Sequence, residues 1–264
     1  ENLEDEQWLY IHGISRGHPL VLELINRGAS ATAFHETLEN YVTVEIFSKL
    51  SAEQKRVLSV LSIFREPVSI DALSEQKLDI DVLDSLVEQG LARQVDSEVY
   101  DVHDLIREFL LRSLDEKLKI DLHNKCSSWY QKFSSEPVFT IELIFHLVSS
   151  DNMAEAAEII VKNGRSLISQ GHMELLGLID SLNSTELSDS VSTKVNHYKG
   201  EILALLGKFE DAKQAFLDAQ ETSSKSKDVN TQAELLSALA DISLKQGNLD
   251  ESLTMHRDAL QIFI

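Results

Sequence analysis

A single cysteine, three prolines and ten glycines in 264 residues leave little to cross-link or punctuate this chain. The lone Cys126 excludes an intrachain disulfide, so a reducing compartment, the cytoplasm, is the expected home. So few prolines and glycines argue against many short strands and for long helices. Basic residues are also scarce, 24 Lys+Arg against 44 Asp+Glu, for a formal charge of −20. A surface of that sign repels nucleic-acid backbones and anionic membranes. No apolar run approaches the length of a membrane span, and no charged-then-apolar signal segment opens the chain. Enzyme signatures are missing as well: no CxxC or HExxH, no nucleophile elbow, and no glycine-rich loop followed by Lys-Ser or Lys-Thr. No catalytic residue and no metal ligand is therefore assigned, and this segment is expected not to be an enzyme. It starts at Glu1 inside a helical pattern and reads as part of something longer.

What is present is mostly helix. In residues 1–47, "DEQWLYIHGISRG" ends at a glycine, and "HPLVLELINRG" starts with Pro19 at a first-turn position, where its missing N–H costs nothing. A third helix is expected from Ala31 to Phe47. Residues 48–114 form a compact unit. Ser51 caps "AEQKRVLSVLSIF", Ser69 caps a second helix after the turn at Pro67, and "DIDVLDSLVEQG" is a third helix ending at Gly90. "LARQVDSEVYDVH" then alternates around a turn at Asp96-Ser97 as a short β-hairpin. Three helices and a two-stranded wing describe a winged helix, and a further helix, 104–114, leads out of it.

From residue 115 the pattern is helical throughout. "LALLGKFEDAKQAFLDA" (203–219) and "SLKQGNLDESLTMHRDA" (243–259) superpose at an offset of 40, pairing Gly207 with Gly247, Phe209 with Leu249 and Ala219 with Ala259. Gly200 meets Ala240 at the same offset. Small residues at such positions let antiparallel helices approach closely, the mark of a repeat array. "ISQGHMELLGLIDSL" and "SSDNMAEAAEIIVKNG" look like earlier hairpins. The expected architecture is mainly α. A helical segment (1–47) precedes a winged helix (48–114), helical hairpins (115–190) and α-α superhelical repeats (191–264). Arrays normally finish on a polar outer face. Here Leu260, Ile262, Phe263 and Ile264 leave an apolar end, which predicts self-association through the C-terminal helix or truncation.

One histidine stands out, His103 in "YDVHDLIREFL", between two acids where the wing meets the exit helix. It could ligate a metal, move a proton, cap the helix or sense a bound group. On the residues alone, Asp101 reads as a cap of the exit helix, Asp104 as an acid favouring its positive N-terminal end, and His103 as a satisfied surface residue. DNA reading by the winged helix is disfavoured. Its third helix carries Asp81, Asp84 and Glu88 with no lysine or arginine, and the unit holds 8 basic against 13 acidic residues.

The order of these pieces resembles the signal-transduction ATPases with numerous domains (STAND ATPases). In that family a "GxP" helix start closes the nucleotide module, a winged helix follows, and its exit helix opens with a Met-His-Asp-like motif before a helical sensor array. "GHPLVLEL" stands for the first motif and "VHDLIREFL" for the second, with Val102 in place of the usual methionine. The stretch "NMAEAAEIIVKNGRSLISQGHMELLGLIDSL" and the tetratricopeptide-like (TPR-like) hairpins look most like the maltose-regulator branch. The resemblance implies that residues 1–47 end the nucleotide-binding module, whose phosphate loop is not in this chain. It also implies that Pro19 lines the adenine pocket and His103 reaches the β-phosphate of ADP, so that ATP or ADP is the cofactor of the parent protein. A protein or small-molecule signal would then bind the TPR-like repeats. The alternatives are a stand-alone TPR interaction scaffold and, against the charge argument, a DNA-binding winged-helix regulator.

Overall fold

The computed structural model describes residues 47–102, 104–133, 135–182, 187–226 and 229–263. Pro19 and His103, the two residues singled out for nucleotide, lie outside them, as does the helix expected from Ala31 to Phe47 except for Phe47 itself, which is in a 3-10 turn. The protein is mainly helical with one small sheet, and it divides into two compact units between Asp115 and Glu116.

Among the described residues of the first unit, the earliest elements are a 3-10 turn, Phe47–Lys49, and α1, Ala52–Ile63. Ser51 starts α1 with a reciprocal capping box: its hydroxyl accepts from the Gln54 N–H, and the Gln54 side chain accepts from the Ser51 N–H. Two otherwise orphaned backbone donors are satisfied in this way. A two-residue strand follows, β1 (Val68–Ser69), then α2 (Ile70–Glu75) and α3 (Asp81–Glu88). Gly90, at φ +70°, ends α3 by placing the Leu91 N–H on the Leu86 carbonyl, a left-handed stop that glycine adopts without strain. Next come β2 (Ala92–Asp96), β3 (Val99–Val102) and α4 (Asp104–Ser113).

The sheet is antiparallel, in the order β1-β3-β2, with Val68 opposite Tyr100 and Arg93 opposite Asp101. β1 was not anticipated; the stretch after Pro67 was expected to run straight into a helix. Ser69 does sit at the start of α2, but without a side-chain cap bond, and the Ile70 N–H instead donates to the Glu98 carbonyl in the hairpin turn. The core of the unit is built from Leu58 and Leu61 of α1, Leu83 and Leu86 of α3, Val102 of β3 and Leu110 of α4, each at most 1 % exposed. Each such side chain contributes on the order of 1.5–3 kcal/mol. The acids of α3 all face solvent.

The second unit is helical throughout: α5 (Glu116–Tyr130), a 3-10 turn (Gln131–Phe133), α6 (Pro137–Ser149), α7 (Met153–Ser169), α8 (Leu175–Asp180), α9 (Asp189–Leu205), α10 (Phe209–Ser226), α11 (Val229–Lys245) and α12 (Leu249–Phe263). Successive helices pack as hairpins, most extensively α9 on α10 and α11 on α12. The offset of 40 seen in the sequence is the spacing of these two hairpins: α9 and α11 start at 189 and 229, α10 and α12 at 209 and 249. Both turns use one device. Gly207 (φ +75°) and Gly247 (φ +86°) let the next N–H, of Lys208 or Asn248, reach back to the carbonyl of Leu203 or Ser243. The same six-residue closure ends α6, from the Asn152 N–H to the Leu147 carbonyl, and α7, from His172 to Leu167.

Candidate functional site

Two residues before His103 in the sequence, Asp101 of β3 is only 5 % exposed. Because Arg93 of β2 stands directly opposite, its Nε and one terminal nitrogen donate to Asp101 Oδ2 at 3.1 and 2.6 Å. Arg107, one turn into α4, donates to Asp101 Oδ1, and its other terminal nitrogen lies 3.4 Å from the carbonyls of Leu61 and Ser62 at the end of α1. The Val102 N–H donates to the same Oδ1 at 2.8 Å. One carboxylate thus ties together β2, β3 and α4, and through Arg107 it reaches α1. The hydrogen bond to Asp101 raises the Arg93 guanidinium above its ordinary range. Sequence reasoning read Asp101 as a helix-start acid. Its arginine partners were discoverable only from the strand register and from the position of α4. Asp104 begins α4 and is exposed.

A second group of polar side chains lies along α9 and α11. Lys194 Nζ is 3.3 Å from Glu234 Oε2, while His197, 3 % exposed, has Glu201 Oε1 3.4 Å from its Nε2 and Glu234 Oε2 4.0 Å from its Nδ1. The imidazole stacks on Tyr198 and meets Phe216 edge-on. Burial, reinforced by Lys194, outweighs the Glu234 carboxylate and lowers the pKa of His197 to about 4, and burial pushes the Glu201 carboxyl up. Beside this group a groove of about 260 Å³ is lined by Glu201, Leu205, Ala238, Asp241 and Lys245 among others. A wider cleft of about 530 Å³ between α8, α9 and α10 is dominated by acids: Asp180, Asp189, Asp218 and Glu221, with Lys199 held 2.6 Å from Asp180.

A third feature is a buried histidine pair. His123 of α5 and His146 of α6 meet Nδ1 to Nδ1 at 2.8 Å, with Tyr130 stacked on His146. Such a contact needs a proton on one nitrogen and a lone pair on the other. Burial, with a smaller contribution from Lys119, brings His123 down to about 4. Nearby Cys126 is buried and its thiol is pushed far up by desolvation. Among the described residues no group of three His, Cys, Asp or Glu side chains is placed to hold a metal ion, and no helix is long and apolar enough to cross a membrane.

No family model matches the chain, and no curated protein matches it in sequence. A solved structure does resemble it: a STAND protein with a tetratricopeptide repeat sensor from Pyrococcus horikoshii, at a TM-score of 0.58 and 22% identity. The two share a fold. The likeness covers 97% of this chain and 38% of that one, so the chain spans well under half the length of the protein it resembles. A helical array after a small α/β unit is therefore an arrangement with a solved precedent.

Proposed function

We propose that this chain is the regulatory and sensor portion of a nucleotide-dependent STAND ATPase that controls signalling or transcription. On this reading the first unit is a winged helix whose exit turn senses ADP, and the helices from α9 to α12 are TPR-like repeats that bind a protein or small-molecule signal. The observation that carries it is the likeness over 97% of the chain to a STAND protein with a tetratricopeptide repeat sensor. The Asp101 cluster adds a physical route. His103 follows, two residues on in the sequence, a buried and doubly ion-paired carboxylate that joins β2, β3 and α4, so a phosphate held by that histidine would be coupled to the whole unit.

In the parent protein, ADP supplies the anionic group. The His103 imidazole donates a hydrogen bond to its β-phosphate, more strongly when protonated, and Pro19 lies against the adenine. The phosphate loop and the magnesium-binding acid belong to a nucleotide-binding module outside these 264 residues. On this reading the segment alone should not hydrolyse ATP, its own nucleotide affinity should be slight or absent, and α3 with its exposed acids is ill suited to DNA. Replacing His103 by alanine in the parent should speed ADP release and raise basal output; an unchanged ADP off-rate removes His103 from the switch.

A stand-alone interaction scaffold is the second reading, and the groove beside Glu201, Asp241 and Lys245 favours it. The two separate cleanly. A scaffold binds its partner equally well whatever nucleotide the parent holds, whereas a switch binds it better in one nucleotide state.

A further inference from the structure

The offset of 40 places an acid at the same position of each hairpin, Glu201 of α9 and Asp241 of α11. Both line the groove of about 260 Å³ that also touches α7 and α10. Its floor is apolar, made by Ile168 of α7, Phe216 of α10 and Ala238 and Ile242 of α11. Ile168, Phe216 and Ile242 are buried, so the groove ends on the core of the unit. An apolar bed edged by a few placed polar groups is the usual form of a recognition site.

The surrounding charges leave the two acids uncompensated. Seven residues earlier on the same two helices, Lys194 and Glu234 pair with each other at 3.3 Å. At 201 and 241 the same step brings two carboxylates and no cation. Among the described residues, neither acid has a lysine or arginine within ion-pair reach. Each has a histidine instead: His197 Nε2 lies 3.4 Å from Glu201, and His256 Nε2 lies 3.4 Å from Asp241. Lys245 also lines the groove, but its ammonium sits over the Phe209 ring, 5.7 Å from the centroid. Arg165 of α7 acts on Glu201 at longer range. Behind this wall His197 is 3 % exposed, and its Nδ1 has no hydrogen-bond partner among the described residues. Buried polar atoms are nearly always bonded, so a half-used imidazole against a bare carboxylate marks a site more than a finished core. The ring is neutral above about pH 4 and supplies no countercharge to Glu201.

Size decides between kinds of ligand. The groove falls below the roughly 300–1,000 Å³ of ordinary small-molecule pockets, which suits one long side chain better than a whole metabolite. A lysine or arginine lays its methylenes on apolar ground and carries its charge to the rim. The formal charge of −20 draws basic segments toward the chain. We propose that this groove docks a basic segment of a partner protein, one lysine or arginine of which lies over Ala238 and Ile242 with its charge between Glu201 and Asp241. The proposal rests on the reading that the helices from α9 to α12 bind a signal, and it names the chemistry of that signal.

Methyl NMR of the 264-residue chain, without nucleotide and at physiological salt, tests this. The probe is a capped seven-residue alanine–glycine peptide with one central lysine or arginine; norleucine and citrulline versions keep the length without the charge. The charged peptides should shift the methyls of Ile168, Ala238 and Ile242 and bind about tenfold more tightly than the neutral ones. Glu201→Gln and Asp241→Asn should each weaken binding by on the order of tenfold, with helicity unchanged. Asp180→Asn, whose carboxylate already meets Lys199 outside the groove, should leave it as it is. Equal binding of charged and neutral peptides overturns the proposal, as does binding that ignores both groove variants or falls as far with Asp180→Asn. Shifts of these methyls by spermidine but not by the peptides assign the groove to a free polyamine and overturn it too. The ADP off-rate of the parent is a separate measurement, so a failed peptide test and a failed nucleotide switch are told apart.

Discussion

Gly200 lies against the ring of Phe216: a Cβ built on it would fall 2.5 Å from Cε1 and 2.6 Å from Cδ1. The close approach of α9 and α10 depends on that missing carbon. Gly200→Ala should cost about 1–3 kcal/mol through overpacking, seen as a drop in the thermal midpoint. Adding Phe216→Leu should recover part of the loss, because a smaller side chain vacates the same space. If G200A melts like the parent protein, this packing is not what limits the hairpin.

Asp101 makes a second prediction. Its carboxylate is buried and meets two guanidinium groups, so Asp101→Ala strands Arg107 beside the end of α1 without its countercharge. A loss of about 3–5 kcal/mol is expected, measured by urea denaturation of the first unit's transition. Arg93→Ala should cost less, about 1 kcal/mol or under, because that side chain is 57% exposed and Arg107 stays in place.

Acid should loosen the second unit in a defined window. Burial holds His123 near 4 in the folded chain, against about 6.5 when unfolded, so the native state binds fewer protons between those values. Its contribution is fully present above about pH 6.5 and is lost as the pH falls toward 4, by up to about 1.4 kcal/mol per pH unit. His123→Asn keeps a polar group facing His146 Nδ1 but removes this titration. Its urea midpoint should therefore fall less steeply over the same range, and an unchanged slope would assign the acid sensitivity to other groups.

Cys126 should resist thiol reagents in the native protein, since the thiolate is disfavoured by burial. Labelling with a disulfide reagent should follow global unfolding in denaturant and not precede it. Rapid labelling in native buffer would show that α5 opens on its own.

Much of the scaffold was legible because its signals are local. The Ser51 cap, the stop at Gly90 and the paired glycines 207 and 247 each act within six residues, and each is found in the structure as expected, the reciprocal bond from Gln54 being an addition. β1 was missed because two residues cannot display an alternating pattern; only their partner Tyr100 makes them a strand. The sites were less legible. The partners of Asp101 are set by cross-strand register and by where α4 lands. His123 and His146 stand 23 residues apart on different helices, with nothing in either local pattern to announce the meeting. Nothing in the local pattern around His197 announces Glu234, which α11 brings beside it. Pro19 and His103 are chosen by resemblance, and both lie outside the described residues.

The recurring backward reach of an N–H across six residues has an implication for how such a molecule changes over generations. Each helix stop is written in its own short stretch, so a block of forty residues can be copied in or dropped without renegotiating the turns on either side. The reach of the array can then drift by whole modules while the braced β-sheet unit stays as it is.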